Sequence, residues 1–290
     1  MKNLCILVEI KGGFGNQIFQ FVFANQLKDE GYNVFINTEY FKFNKEETKD
    51  NTYRKLIIKE NIFGLKKINV FYLYFFKILK KINESRKLSK LFKRSKFPYF
   101  IKLKDSNFDK KLLDTKFVHL DGYWQNVDNL VLQKEFLIEA LSKIDILEKP
   151  INFLPQENTV MLLIRRGDYI KMKEDLSLDF YKKCIETISD KLNKFDLSIF
   201  TDDVQWVKEQ KIFDSAKNVF GPEDEPEKVL DLFSKMLQNK HFIVANSTFS
   251  LIAAFVKQMD DSIIIVSDPW FRNKEKEKLF LDNWIKIPNE

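Results

Sequence analysis

Two cysteines, seven prolines, eight glycines and two histidines among 290 residues leave several function classes little to build on. Cys5 sits in the first apolar run and Cys184 in a helical pattern, which suits neither a metal site nor a disulfide framework, so a reducing cytoplasm is expected. His119 and His241 have no Ser or Cys in a nucleophile-elbow context to work with, so a hydrolytic triad has no support and both histidines read as structural. The longest apolar run, Val70 to Phe76, has seven residues, against the roughly 20 that span a bilayer. At the N-terminus Glu9 interrupts Leu4 to Val8 before an h-region develops, and no small-residue cleavage site follows. That stretch therefore reads as a first strand, not a signal peptide. Neither internal repeats nor low-complexity segments are visible.

What is present is a globular composition, 44% hydrophobic, with length enough for two domains. The net charge of +6 hides an asymmetry: from Lys66 to Lys104 thirteen Lys or Arg face the single Glu84, a local +12 that leaves the rest of the chain at −6. Aromatics such as Phe71, Tyr72, Tyr74, Phe75 and Phe76 interleave with these cations. Composition leaves three uses open: a solvated helix face, a nucleic-acid surface, or a seat on an anionic membrane.

The chain is organised around Val160-Met161-Leu162-Leu163-Ile164-Arg165-Arg166-Gly167-Asp168-Tyr169, where five apolar residues run into two adjacent guanidinium groups. Such a run predicts a buried parallel strand. Charge at its end needs a partner, and ligands bind at the carboxyl ends of strands in open α/β sheets. Arg165 and Arg166 are therefore candidate anion ligands, their planar forks suiting phosphate better than Lys. An ion pair with Asp168 is the equally open structural alternative. An exposed Arg-Gly-Asp adhesion tripeptide fits poorly after a buried strand.

Before this stretch the periodicity predicts strand 4–10, a glycine loop over Lys11 to Gln17, and an amphipathic helix carrying Ile18, Phe19, Val22 and Leu27. Strand 33–37, one or two basic helices within 66–96, strand 117–120 and helix 127–141 follow. Residues 144–155, with two prolines, read as a linker. Beyond it lie strands 159–165, 196–201, 217–220, 241–245 and 262–266, alternating with helices 178–193, 203–210, 226–238 and 248–258. Strand–helix alternation predicts doubly wound parallel sheets. The expected architecture is α/β, with two Rossmann-like domains, 1–154 and 155–290, facing a cleft with Gly13 to Gln17 on one side and Arg165 to Asp168 on the other.

Three further constellations are candidates. Gly12, Gly13 and Gly15 allow close approach of a ligand or backbone, and the following helix start offers free N–H groups; the loop departs from the dinucleotide fingerprint because its third glycine position is Ile18. Asn246-Ser247-Thr248-Phe249-Ser250 gathers hydroxyls where an apolar strand meets a helix start, as an anion site or as an ordinary cap. Asp202 and Asp203 also end a strand, where they can bind a base or ribose or cap the next helix. No further hard ligands stand near enough in sequence to suggest a divalent metal.

Together Gly12 to Gln20, Gly122-Tyr123-Trp124-Gln125, Ile164 to Tyr169, Thr201-Asp202-Asp203 and Lys240 to Ser250 resemble, in order and spacing, the motifs of glycosyltransferase family 11, the bacterial and animal α-1,2-fucosyltransferases. Asp268-Pro269-Trp270-Phe271 and Trp284-Ile285 resemble its C-terminal segment. The resemblance implies a GT-B architecture, a GDP-β-L-fucose donor, inversion at the anomeric carbon and no metal or other cofactor. It implies that Arg165, with Arg166, binds the leaving β-phosphate, that Ser247, Thr248 and Phe249 line the pyrophosphate and nucleotide, and that Asn16 lies near the transferred sugar. Gly13, Gly15, Gln17, Asp202, Asp203, Asn246 and Ser250 complete the implied substrate site, and Asp168 orients the arginines or serves as base. The implied setting is the bacterial cytoplasm, peripheral on the inner membrane through Lys66 to Lys104. The implied partner is an oligosaccharide or lipid-linked glycan acceptor, not a nucleic acid. Two departures stand out: Leu163 replaces the family's usual His, and Leu251-Ile252 replaces its usual Trp-Trp.

Overall fold

The computed structural model describes residues 4–43, 54–69, 71, 73–75, 78, 100–103, 117–223, 225–272 and 279–289. The chain divides into two compact units, Met1–Glu46 with Ile58–Gln133, and Glu47–Ile57 with Lys134–Glu290. The division falls after Gln133 and not at 154, and a short piece of the N-terminal sequence belongs to the second unit.

In the first unit, strands β1 (Cys5–Glu9), β2 (Asn33–Asn37), β3 (Lys66–Lys67), β4 (Phe100–Leu103) and β5 (Phe117–Leu120) form a parallel sheet in the order β3-β2-β1-β5-β4. Helix α1 (Phe14–Asp29) follows β1. It is buried almost all round: Phe21 stacks on Phe63 at 4.5 Å and Phe23 on Trp124 at 4.7 Å. An amphipathic stripe understates this helix because its polar Gln17, Gln20 and Asn25 are buried as well. After the short helix α2 (Tyr40–Phe43), Lys66 and Lys67 pair with Phe35 and Ile36 as an edge strand where a helix start was expected. Most of the remaining basic helical segment lies outside the described residues. Leu73 packs inward on Leu7 and Ile68, while Phe71, Tyr74, Phe75 and Ile78 are exposed.

Helix 127–141 is two helices, α3 (Val127–Leu132) and α4 (Lys134–Ser142). They break at Gln133, whose amide is held by Asn25 at 2.7 Å and Asp29 at 3.1 Å. The expected linker is likewise helical, α5 (Asp145–Asn152), with Pro150 inside its last turn.

The second unit contains β6 (Thr159–Ile164), α6 (Gly167–Met172), α7 (Leu178–Ser189), β7 (Asp196–Thr201), α8 (Val204–Glu209) and β8 (Asn218–Phe220). It continues with α9 (Pro226–Met236), β9 (His241–Ala245), α10 (Thr248–Lys257), β10 (Ile264–Asp268) and β11 (Ile285–Pro288). Its parallel sheet has the order β11-β10-β9-β6-β7-β8. Val160, Leu162 and Ile164 from β6 join Ile199, Ile243 and Ile265 in one fully buried core. The helix α6 and the edge strands β4 and β11 were not expected: each is short, and the strands carry Lys102, Lys286 and Pro288 in place of an apolar run.

Strand order places the ligand crevice of each unit. From β6 the chain moves outward through β7 and β8, then returns to the other side of β6 at β9 and moves outward again. The order therefore reverses between β6 and β9, and in the first unit between β1 and β5. Crevices of open sheets form at such switch points, outside the carboxyl ends of the strands. Arg165 follows β6 directly and Asn246 follows β9 directly.

Candidate functional site

At the switch point of the first unit the glycine loop and the Gly122 to Gln125 segment meet. Gln20 accepts from the Lys11 backbone N–H at 2.8 Å and donates to the Gly122 carbonyl at 3.0 Å, tying the two loops together. Gln125 donates to Asn16 Oδ1 at 2.6 Å. Gly12 has φ +79°, and a Cβ there would come to 3.0 Å from both Asn16 Nδ2 and Tyr123 Cε1, so the loop needs glycine for conformation and for space. Gly13 caps α1 in an extended conformation and Gly15 is buried in its first turn. Gln17 is fully buried and donates to the Gly12 carbonyl at 3.0 Å, which places it behind the loop as a support. His119 bonds Glu9 at 2.9 Å, and Glu9 accepts from Asn37 at 2.9 and 3.1 Å, so this histidine is tied into a carboxylate–amide cluster.

In the second unit the arginine pair is fixed by carboxylates. Arg165 donates to Asp168 Oδ1 at 2.7 Å and approaches Asp202 Oδ2 at 3.0 Å. Asp202 also accepts the Arg166 backbone N–H at 2.8 Å. Arg166 donates through Nε to Asp203 at 3.1 Å and lies 4.1 Å over the Trp206 ring. Asp203 caps α8 through the Trp206 N–H at 3.0 Å. The two aspartates therefore act on the arginines: Asp202 fixes the loop, and Asp203 with Trp206 locks the Arg166 plane. Gly167 makes room for this, since a Cβ there would meet Asp202 Oδ2 at 3.1 Å. Burial lowers the pKa of the Arg165 guanidinium, but Asp202 and Asp168 outweigh it and hold the value above its ordinary one.

Across the switch point, Asn246 is buried and donates to the Glu174 carbonyl at 2.8 Å, and its Oδ1 has no hydrogen-bond partner among the described residues. Ser247 caps α10 through the Phe249 N–H, and Thr248 and Phe249 are half-buried in its first turn. Ser250 is fully buried and donates to the Val244 carbonyl at 2.6 Å, so it fastens the strand end. His241 accepts the Ile263 N–H at 3.0 Å through Nδ1, a structural role, and burial holds its pKa below the ordinary value. Ala245, the last residue of β9, has φ +58°, and Trp124, just beyond β5, has φ +54°. Left-handed non-glycine residues store strain and gather at functional sites.

The sequence assigns no role to three further contributors, although Tyr169 lies within the arginine motif. Tyr169 joins the halves of the switch point, donating to the Asn246 carbonyl at 3.1 Å with Arg165 5.3 Å from its ring; burial pushes its phenol up to about 12. Glu174 is buried and accepts the Arg272 N–H at 2.8 Å, which brings in the segment after β10. Arg54 reaches Asp168 Oδ2 at 3.8 Å. Arg54 lies in the pattern-poor stretch 38–61, and the other two become visible only once α6 is placed.

A search of solved structures finds Arabidopsis thaliana FUT1 in complex with GDP at TM-score 0.45 and 8% identity, over 94% of this chain and 71% of that one. Among sequences, an Escherichia coli alpha-1,2-colitosyltransferase is 27% identical over 97% of this chain and 98% of its own length. The Escherichia coli O-antigen biosynthesis glycosyltransferase WbnK is 30% identical over 58% of this chain and 57% of its own. The model of Glycosyl transferase family 11 matches residues 5–288, so the arginine loop, the glycine loop and the Asn246 to Ser250 turn all fall inside it, and the chain belongs to glycosyltransferase family 11.

Proposed function

We propose that this protein transfers L-fucose from GDP-β-L-fucose to a galactoside hydroxyl of a bacterial surface glycan, with inversion, in α-1,2 linkage and without a metal. The observation that carries the reading is the pair Arg165 and Arg166, fixed by three aspartates beside the Ser247 and Thr248 helix start. In the transfer, the acceptor hydroxyl oxygen bonds to the anomeric carbon as the bond from that carbon to the β-phosphate oxygen breaks, and the hydroxyl proton passes to water. Negative charge then grows on the diphosphate, where fixed cationic donors stabilise most. The second unit binds the donor in this reading. Asp168 is engaged with Arg165, which fits an orienting role better than that of a base. A panel of GDP-sugars and glycan acceptors, with and without chelator, is the test. Turnover only with added metal, or only with UDP-sugars, overturns the proposal. The relative named for colitosyl transfer gives a second donor sugar its place in that panel.

The basic segment supports a further part of the proposal, a reversible seat on an anionic membrane. Its local +12 stands beside Phe71 and Tyr74, which are 86% and 68% exposed. Each Lys or Arg near such a surface contributes about 1 kcal/mol. No described helix is long and apolar enough to cross a membrane. The expected result is salt-sensitive co-sedimentation with anionic liposomes that is lost when lysines of this segment become Glu, while transfer to a soluble acceptor survives. A salt-steep shift of DNA or RNA with no liposome binding reassigns the segment.

A further inference from the structure

The second unit includes a short piece of chain that the sequence places among the elements of the first. Its Lys55 pairs with Glu225, ahead of α9, and Ile57 is buried. Its Arg54 points a guanidinium at the arginine loop, 3.8 Å from Asp168 Oδ2, while the other oxygen of that carboxylate is held by Arg165 at 2.7 Å. One carboxylate thus stands between two guanidinium groups.

The three arginines of this cluster are held in different ways. Arg165 is fastened to two aspartates, and Arg166 is fastened to Asp203 and stacked on Trp206. Arg54 has Asp168 as its only ion partner among the described residues, and the pair is long and about a third exposed on the arginine side. A partly exposed pair of that length contributes little to stability. If Arg54 lets go, Asp168 keeps its short bond to Arg165, so the carboxylate is not stranded. Arg54 therefore has donors to offer an incoming anion at small cost, next to the guanidinium that stands at the strand end.

We infer that Arg54 is a third anion-binding guanidinium of this site, contributed by the crossing segment to the distal phosphate of a nucleoside diphosphate. The inference rests on the donor reading above and adds a residue that reading leaves out. The proximal phosphate is left to the Ser247 and Thr248 helix start, which follows β9, the neighbour of the strand that carries the arginine loop. Arg54 and Arg165 close on the phosphate that bears the sugar, and a nucleoside monophosphate lacks the group they would hold.

The test is calorimetric titration of GDP and of GMP into wild type, Arg54→Ala, Arg54→Lys and, as a control on the segment, Lys55→Gln. The expected result is that wild type prefers GDP over GMP and that Arg54→Ala loses about tenfold in GDP affinity. GMP affinity and the thermal midpoint should stay unchanged, with partial recovery in Arg54→Lys and none of the loss in Lys55→Gln. Equal losses for GDP and GMP, an unchanged preference in Arg54→Ala, or the same loss in Lys55→Gln each overturn the inference. Absence of a GDP-over-GMP preference in wild type also overturns it, and absence of any GDP binding overturns the donor reading itself.

Discussion

Replacing Arg165 with Ala is expected to lower turnover by about 10²–10³-fold, the scale of losing one preorganised donor aimed at developing charge. The geometry makes this residue, more than Arg166, the one to remove. Arg166 spends its Nε on Asp203 and its face on Trp206, whereas Arg165 stands at the strand end with Asp168 and Asp202 holding it from two sides. Lys at 165 should rescue poorly, because one ammonium cannot satisfy two carboxylates and a phosphate in a fixed plane. Removal leaves Asp168 and Asp202 short of a partner, so some loss of thermal stability is expected as well. Steady-state kinetics must therefore be read on protein shown to be folded by circular dichroism. A folded Arg165→Ala protein with near-normal turnover would falsify the assignment and move the role to Arg166.

The arginine loop was legible because its signal is local: five apolar residues before two charges specify a buried strand whose end needs a partner. The same holds for β2, β5, β7 and β9, whose bounds follow from alternation and from glycine or polar punctuation. What the sequence could not separate was whether Arg165 meets a ligand or an aspartate. The structure supplies two aspartates, Asp168 and Asp202. Asp168 is local to Arg165, but Asp202 comes from the end of β7, so that pairing depends on which strand neighbours which. Arg54 was hidden for a related reason, since its place is set by the crossing of residues 47–57 into the second unit and not by any local pattern. The misplaced boundary shows the limit of reading prolines as punctuation. Pro150 sits in the last turn of α5, where it forfeits one intrahelical N–H bond that the packing of α5 on α4 and α9 inside the second unit offsets.

An ammonium group also fastens the end of α5, and Lys257→Met is expected to lower the stability of the second unit by about 3 kcal/mol. Lys257 closes α10, is 7% exposed, and donates from Nζ to the carbonyls of Pro150 at 2.6 Å, Ile151 at 3.2 Å and Phe153. A helix leaves its last carbonyls without intrahelical donors, and a cation there also meets the negative end of the helix dipole. Met keeps the length and apolar stem of the side chain but offers no proton. Each carbonyl that loses its donor costs ~1–3 kcal/mol if no water replaces it. Exposed Phe153 marks where water can enter, which holds the expected total near the low end of three such losses. Urea unfolding followed by far-ultraviolet circular dichroism reads the effect as a shift of midpoint at unchanged slope. An unshifted midpoint means that solvent already satisfies these carbonyls. In that case the apolar contacts of Leu147, which is fully buried in α5, are what hold the helix on the second unit.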